Sequence, residues 1–575
     1  MLLSVHSVLL LGTIASAQFP KKPDGLTLLR SRFNDSVTIS YKETHICETT
    51  PGVRSFAGYV SLPPNTTTEL GINQSFPINT FFWYFEARND PQNAPLSLWF
   101  SGGPGSSSFT AILSENGPCW VNADSKTTRL NEWSWNTDVN MLYIDQPVQP
   151  GLSFDGLHNI TYDLLYDETT LLNDTSPIPA QNATFVVGTG PSGNENKTAI
   201  GSVAAAVHVW HFLQVWTREF PEYKTSDSRI SLAAESYGGK HGPEFFYFVQ
   251  KQNEKIAATT CSTICPLQIL NLDTLLIVNG CVGDVQLPSF PQFAYNNTYG
   301  IQAVNKTTYD NMTFSYTRKD GCKDQVEQCQ MLSIQYDPDL VGINDTVNDI
   351  CHDAYIFCEQ YVKAPYHDSG RNWYDVTALD PVSMTPPFFR GYMQNPFSGH
   401  ADQVAYAFSA MGDAYRPGHL DKLAYLLDHG IKVQFMYGDR DYICNWIGNF
   451  SFARVYQAGH AVPFSQPETA YRIFSRALRG QVIATGKSSA SVDGEPYASK
   501  GPSSTWQFKN DPPAQHIQAV CYTWYAPKTC TDEQLYSLGN GTVLVQDYIL
   551  VDKNATQLYP DIVGGGDIRE TGFMR

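Results

Sequence analysis

Three segments of the chain hold residue types that together break acyl bonds. A serine stands in Ala233-Ala234-Glu235-Ser236-Tyr237-Gly238-Gly239, two aspartates in Asp439-Arg440-Asp441, and a histidine in Gly459-His460. A serine hydroxyl is a weak nucleophile until a neighbouring base takes its proton, and histidine is the side chain suited to that exchange near neutral pH. A carboxylate behind the ring holds its tautomer and stabilises the charge it acquires. Small residues around Ser236 suit a tight strand-to-helix turn that pushes the hydroxyl outward, although Ala234 replaces the usual first glycine. Upstream, Gly102-Gly103-Pro104-Gly105 presents backbone N–H groups. With the N–H of Tyr237, the residue after the serine, they would receive a tetrahedral oxyanion. The chain order Ser, Asp, His is the one expected of a triad on an α/β-hydrolase sheet.

Such side chains must be carried on strand ends, and the sequence offers them. Short β-rich runs stop at turn residues throughout. Leu96–Phe100 meets Ser101-Gly102, 141–144 meets Asp145, and 230–234 meets Glu235-Ser236. Further on, 275–278 meets Asn279-Gly280, 433–437 meets Gly438-Asp439, and 452–456 precedes His460. Helical periodicity lies between: Leu420, Leu423, Ala424 and Leu427 share a face before Gly430, and Ala470, Ile473, Phe474, Ala477 and Leu478 share one before Gly480. A third stretch, 199–219, is apolar nearly all round and predicts a deeply packed helix holding His208 and His211 as core residues. The pattern predicts an α/β-hydrolase fold with a central, mostly parallel sheet. About 150 residues separate Gly280 from Val433, too many for a loop, so an inserted cap is expected there. The expected organisation is a leader over 1–17, sheet core over 18–282, cap over 283–375, core again over 376–480, and a C-terminal extension over 481–575.

Composition bounds the partners. Of 575 residues 42% are hydrophobic, enough for a large core, and 38 Lys+Arg against 56 Asp+Glu give a formal charge of −18. That balance excludes a nucleic-acid binder, which needs a basic surface. An apolar run over 8–15 ending in Ala15-Ser16-Ala17 reads as a secretory leader cut after Ala17. Beyond it, no long apolar run predicts a membrane span. Fourteen Asn-x-Ser/Thr sequons predict N-linked glycans. Twelve cysteines without a CxxC pair, in a chain without HExxH, predict disulfides rather than a metal site, and no cofactor is expected. The expected location is outside the cell, or alternatively a vacuole.

The chain resembles the serine carboxypeptidases, and within them the secreted fungal branch. The likeness runs from about Cys47 to Leu478. It rests on Trp99-Phe100-Ser101-Gly102-Gly103-Pro104-Gly105-Ser106-Ser107-Ser108, on Ala234-Glu235-Ser236-Tyr237-Gly238-Gly239, on Gly438-Asp439-Arg440-Asp441-Tyr442-Ile443-Cys444-Asn445-Trp446 and on Ala458-Gly459-His460-Ala461-Val462-Pro463. The resemblance implies Ser236 as nucleophile, His460 as base and Asp441, rather than Asp439, as the triad acid. Gly103 and Tyr237 would then supply the oxyanion N–H groups. It implies capture of a substrate's C-terminal carboxylate by Ser101, Gly102, Glu115 and Glu235, with peptide and protein C-termini as substrates. Two carboxyls in one site cannot both ionise cheaply, so a shared proton and a preference for acid are expected. The resemblance also implies a free thiol at Cys444 near the site, nested cap bridges among Cys322, Cys329, Cys351 and Cys358, and Ala461 lining the leaving-residue pocket.

Two departures stand out. Ser101 occupies the family's asparagine position, and a hydroxyl is shorter and offers one donor instead of two. A lost hydrogen bond to a charged group costs about 1.5–3 kcal/mol, about ten- to a hundredfold in binding or rate. Secondly, only 18 residues lie between Asp441 and His460, where the family has several tens including a crossover helix. Fourteen extended residues reach about 46 Å, enough to return along a strand but not to supply a helix too. A segment lost through a mispredicted or alternatively spliced exon explains the intact motifs on either side. Two alternatives follow: an esterase or acyltransferase on the same fold, or a secreted glycoprotein whose triad geometry is impaired.

Overall fold

The apolar runs become neighbours in one ten-stranded sheet of a computed structural model. The structure describes residues 24–563 except 174–175, 260–266, 381–384, 394–398, 449–452, 513–519 and most of 488–507. The expected leader therefore lies outside the described residues. Four strands form an antiparallel entry: β1 Thr27–Arg30, β2 Thr38–Thr44, β3 Ser55–Leu62 and β4 Ile78–Phe85. The others are β5 Leu96–Phe100, β6 Asn140–Ile144, β7 Arg229–Glu235, β8 Asn271–Val278, β9 Lys432–Gly438 and β10 Ala453–Val455. The order is β1-β2-β3-β4-β6-β5-β7-β8-β9-β10, and every pairing from β6 onward is parallel.

Side chains alternate across a strand, so each apolar run feeds two cores. Phe82, Tyr84, Leu98 and Phe100 face helices α2 Ser202–Glu219 and α3 Gly238–Ala258. Trp83, Phe85, Trp99 and Tyr143 face α1 Phe109–Ser114 and the helix Pro467–Leu478 on the other side. The expected deep packing of α2 holds: Trp216 is fully buried, and burial pushes the His208 imidazole down to about 3. His211 departs from the core reading and bonds Glu69 at 2.8 Å.

Between β8 and β9 lie helices α4 Ser289–Tyr295, α5 Lys306–Thr317, α6 Cys322–Tyr336 and α7 Asp345–Cys358. Bridges Cys322–Cys358 and Cys329–Cys351 are nested and clamp α6 against α7. Beyond helix α8, Pro467–Leu478, the chain packs into the same core cluster as Trp83, Phe85 and Trp99. Tyr522, fully buried, meets Ser125 Oγ at 2.7 Å and accepts from the Gly391 N–H at 3.0 Å.

The short return between β9 and β10 is made without a crossover helix among the described residues; it contains a single 3-10 turn, Trp446–Gly448. The return is feasible because β10 has only three residues, pairing Met436 with Ala453 through Gly438 with Val455. Trp446 is buried against Arg454, whose guanidinium lies 4.2 Å from its ring centroid.

Candidate active site

Ser236 follows the last residue of β7 with φ of 61°. For a non-glycine residue that conformation costs about 1–3 kcal/mol and persists only where surroundings impose it. Here three backbone bonds do so: Ser236 N–H to Val278 O, and the N–H groups of Gly239 and Cys281 to Ser236 O, all at 2.9–3.0 Å. The small neighbours are required by contact. A Cβ on Gly238 would sit 2.7 Å from Ala234 Cβ, and one on Gly102 only 2.3 Å from Tyr237 N. Gly102 thus lets the loop after β5 lie directly on the turn. Among the described residues, neither Gly103 N–H nor Tyr237 N–H has an acceptor, which leaves both for an oxyanion.

His460 leaves the short strand β10 and is buried. Its Nδ1 lies 2.7 Å from Asp441 Oδ2, and its backbone N–H donates to Tyr374 O at 2.9 Å. Asp441 is held in turn by Asn279 Nδ2 at 2.8 Å on Oδ2 and by the Ile443 N–H at 3.1 Å on Oδ1. Asp439, two residues earlier, belongs elsewhere: it accepts from Tyr299 Oη at 2.6 Å and pairs with Arg454 at 3.1 Å. Ser236 and His460 line one cavity of about 890 Å³. Among the described residues no hydrogen bond joins Ser236 Oγ to His460; such bonds commonly tighten when substrate binds.

Ser101, Gly102, Glu115 and Glu235 line the same cavity. Glu115 caps the C-terminus of α1 and Glu235 ends β7; both are buried. Burial, followed by the facing Glu115, holds the Glu235 carboxyl well above the usual carboxylate range. Burial likewise raises Glu115, against the opposing pull of Glu235 and then of His460. The pair therefore retains a proton where ordinary carboxyls have lost theirs. Ser101 Oγ already accepts from Trp99 Nε1 at 3.2 Å.

Two expectations need correction. Cys444 is not a free thiol but is bonded to Cys281, tying the turn after β8 to the acid-bearing loop. The likeness that implied a thiol takes no account of a cysteine at 281, within reach of 444. An organomercurial should leave activity unchanged in unreduced protein and inhibit only after reduction; inhibition without reduction would contradict the bridge. Ala461 is buried and, among the described residues, lies outside the cavity wall.

Other contributors were missed in the sequence. Asn279 registered only as a strand terminator, yet its amide positions Asp441. Asp145 fixes the loop after β5 by accepting from Ser107 Oγ at 2.8 Å and from Phe109 N–H at 3.2 Å, with burial lifting its carboxyl to about 6. Tyr525 and Lys528, from the C-terminal extension, complete one cavity wall.

Comparisons with known proteins give the chain's relatives. The family description "Serine carboxypeptidase" matches residues 47–451, ending inside the short return before His460. "Carboxypeptidase S1 homolog B" of Arthroderma otae is 49% identical, covering 97% of this chain and 93% of the relative. That alignment runs to 612 positions, so about fifty residues of the relative have no counterpart here. "Carboxypeptidase S1 homolog A" of Trichophyton rubrum is 43% identical over 95% of this chain and 92% of its own. Among solved structures, the Kex1 prohormone-processing carboxypeptidase of Saccharomyces cerevisiae has a TM-score of 0.46 at 21% identity, covering 73% of this chain and 90% of its own.

Proposed function

The chain belongs to the serine carboxypeptidase family, and from that premise we propose that Ser236, His460 and Asp441 release the C-terminal residue of a peptide through an acyl-enzyme. His460 Nε2 takes the proton of Ser236 Oγ as Oγ bonds to the scissile carbonyl carbon. The oxygen that becomes negative is received by the N–H groups of Gly103 and Tyr237. As the tetrahedral adduct collapses, the C–N bond breaks and the proton on His460 passes to the leaving amine. Water then attacks the ester carbonyl with His460 again as base, and Ser236 regains its proton. Asp441 Oδ2 keeps the Nδ1 proton in place and offsets the imidazolium charge.

One observation carries the choice of exopeptidase: two buried carboxyls with raised proton affinity stand in the cavity that holds Ser236 and His460. A protonated carboxyl donates to a substrate carboxylate where an ionised one would repel it. Peptide substrates are therefore favoured in acid. The test is a blocked dipeptide assayed beside its C-terminal amide at acid pH. The dipeptide is expected to have the higher kcat/KM; equal values would remove the carboxylate-binding role.

A second reading draws on Ser101. Its hydroxyl is short and, while accepting from Trp99, has one hydrogen to donate where a carboxamide has two, so carboxylate capture leans on the glutamate pair, and ester hydrolysis or acyl transfer proceeds on the same triad. The setting we propose is the secretory pathway, with peptide C-termini as substrates. Five disulfides among the described residues suit an oxidising compartment. No described helix is long and apolar enough to cross a membrane. Of the fourteen sequon asparagines eleven are exposed, and Asn305 and Asn344 also cap helices α5 and α7. Asn159 is buried and is excluded as a glycan carrier.

A further inference from the structure

The C-terminal extension carries a side chain into the catalytic cavity from beyond residues 47–451, the span that the family description matches. The bridge Cys521–Cys530 closes a short turn of chain, within which Tyr522, Thr523, Trp524 and Ala526 are buried. Hydrogen bonds lock that turn. Thr523 N–H donates to Tyr548 O at 2.8 Å, Tyr525 N–H to Tyr522 O at 2.9 Å, and Cys530 N–H to Ala526 O at 2.9 Å. Thr529 Oγ1 donates to Tyr525 O at 2.9 Å. Between its buried neighbours Trp524 and Ala526, Tyr525 is partly exposed, and it lines the cavity. Arg390 Cζ lies 4.1 Å from the centroid of its ring and holds the plane of that ring. An aromatic ring fixed in this way offers apolar area with little side-chain entropy left to lose.

Two paths of contact run from Tyr525 to the glutamate pair. On the first, the Tyr374 ring stands 5.1 Å from that of His460. Burial first, then Tyr525, Asp441, Asp380 and Glu235, push the Tyr374 phenol up to about 12. One side chain thus neighbours Tyr525, the catalytic base and one of the two carboxyls. On the second path, Arg390, which stacks on Tyr525, reaches Gly399. An added Cβ on Gly399 would meet Arg390 Nη2 at 3.3 Å and Thr110 Cγ2 at 3.6 Å. Thr110 lies on α1, the helix that ends at Glu115, and Tyr374, Arg390 and Thr110 all line the cavity with Tyr525. A residue being released carries its terminal carboxylate and its side chain on the same carbon. A carboxylate held at the glutamate pair therefore brings that side chain within reach of this wall. We propose that Tyr525 is a specificity-determining residue whose ring, with Tyr374 and Phe389, forms the wall that selects aromatic side chains on the residue released. This assignment rests on the carboxylate-binding reading given under Proposed function.

The test compares benzyloxycarbonyl-Phe-Phe with benzyloxycarbonyl-Phe-Ala at acid pH. The expected kcat/KM ratio is about tenfold or more in favour of released phenylalanine. It should fall about fivefold or more in Tyr525→Ala and survive in Tyr525→Phe, which keeps the ring. Because both substrates are read on the same protein, the ratio is independent of how much of a variant folds. The acyl side is the control: the ratio of benzyloxycarbonyl-Phe-Ala to benzyloxycarbonyl-Ala-Ala should stay within about twofold in both variants. A released-residue ratio at or below one in the unaltered chain, or one that Tyr525→Ala leaves unchanged, overturns the proposal. So does an acyl-side ratio that falls as far, or an equal loss in Tyr525→Phe. The amides of the first two dipeptides carry the same released side chains without a terminal carboxylate, and they are followed by release of phenylalanine amide and alanine amide. If amides and dipeptides are cleaved equally well and both keep the Tyr525-dependent ratio, the carboxylate-binding reading fails and Tyr525 stands. Dipeptides that outrun their amides, with a ratio indifferent to Tyr525, keep that reading and refute the Tyr525 assignment by themselves.

Discussion

Replacing Asp441 by asparagine should lower kcat about 10⁴-fold on peptides and esters alike. The surroundings explain why so small a change is severe. Both oxygens of Asp441 are surrounded by donors: Asn279 Nδ2 and His460 Nδ1 at Oδ2, and the Ile443 N–H at Oδ1. An amide NH₂ placed there faces another donor, and if its oxygen turns toward the Ile443 N–H, its NH₂ meets Nδ1 and the imidazole is left in the wrong tautomer. The proton needed on Nδ1 is then lost from the ring nitrogen that must carry it, and Nε2 ceases to be a base. Asp439→Asn is the companion variant. Asp439 is buried with Arg454 and Tyr299, so its loss should lower the melting temperature while leaving kcat close to that of the unaltered chain. Equal activity losses at 439 and 441 would mean that the acid was assigned to the wrong position.

The second large effect is in the pH profile. The glutamate pair keeps a proton above the usual carboxylate range because burial and mutual repulsion oppose full ionisation. Peptide kcat/KM should therefore be high in acid and fall about tenfold per pH unit once that proton is lost, while ester hydrolysis, which has no terminal carboxylate to bind, does not fall with it. The double variant Glu115→Gln with Glu235→Gln should flatten the peptide profile and lower its acid maximum about ten- to a hundredfold. Stability carries the same signature. In a raised pair the folded state binds a proton that the unfolded chain releases, so stability falls as pH rises from the ordinary carboxylate range through the pair's own. The double variant removes that loss, and its melting temperature at neutral pH should exceed that of the unaltered chain. A peptide profile that tracks the ester profile, with no gain in stability for the variant, would exclude the shared proton.

Strand ends were legible because an apolar run stopping at Gly, Asn or Asp marks both where β pairing ends and where a side chain enters a cleft. That signal placed β5, β7, β8 and β9, and with them Ser101, Ser236, Asn279 and Asp441. The motif at Glu235-Ser236 was legible for a steric reason, as Gly238 and Ala234 leave no space for larger neighbours. Other features were hidden because they depend on contacts between residues distant in sequence. The Cys281–Cys444 bridge spans 163 residues, and spacing does not encode connectivity. Tyr525 and Lys528 reach the cavity from a segment whose short helices have little periodicity to announce them. The short return to His460 looked like a threat to the triad. In the structure β10 needs only three paired residues to deliver His460 to Asp441.

The central claim is that His460 takes the proton of Ser236. The most direct measurement is covalent labelling by a fluorescent organophosphonate, with the modified residue located by mass spectrometry in the unaltered chain and in His460→Ala. The expected result is one label per chain, on Ser236, formed at least about 10³-fold more slowly in the variant. Labelling at another residue, or labelling of Ser236 at the same rate without the imidazole, would contradict the account.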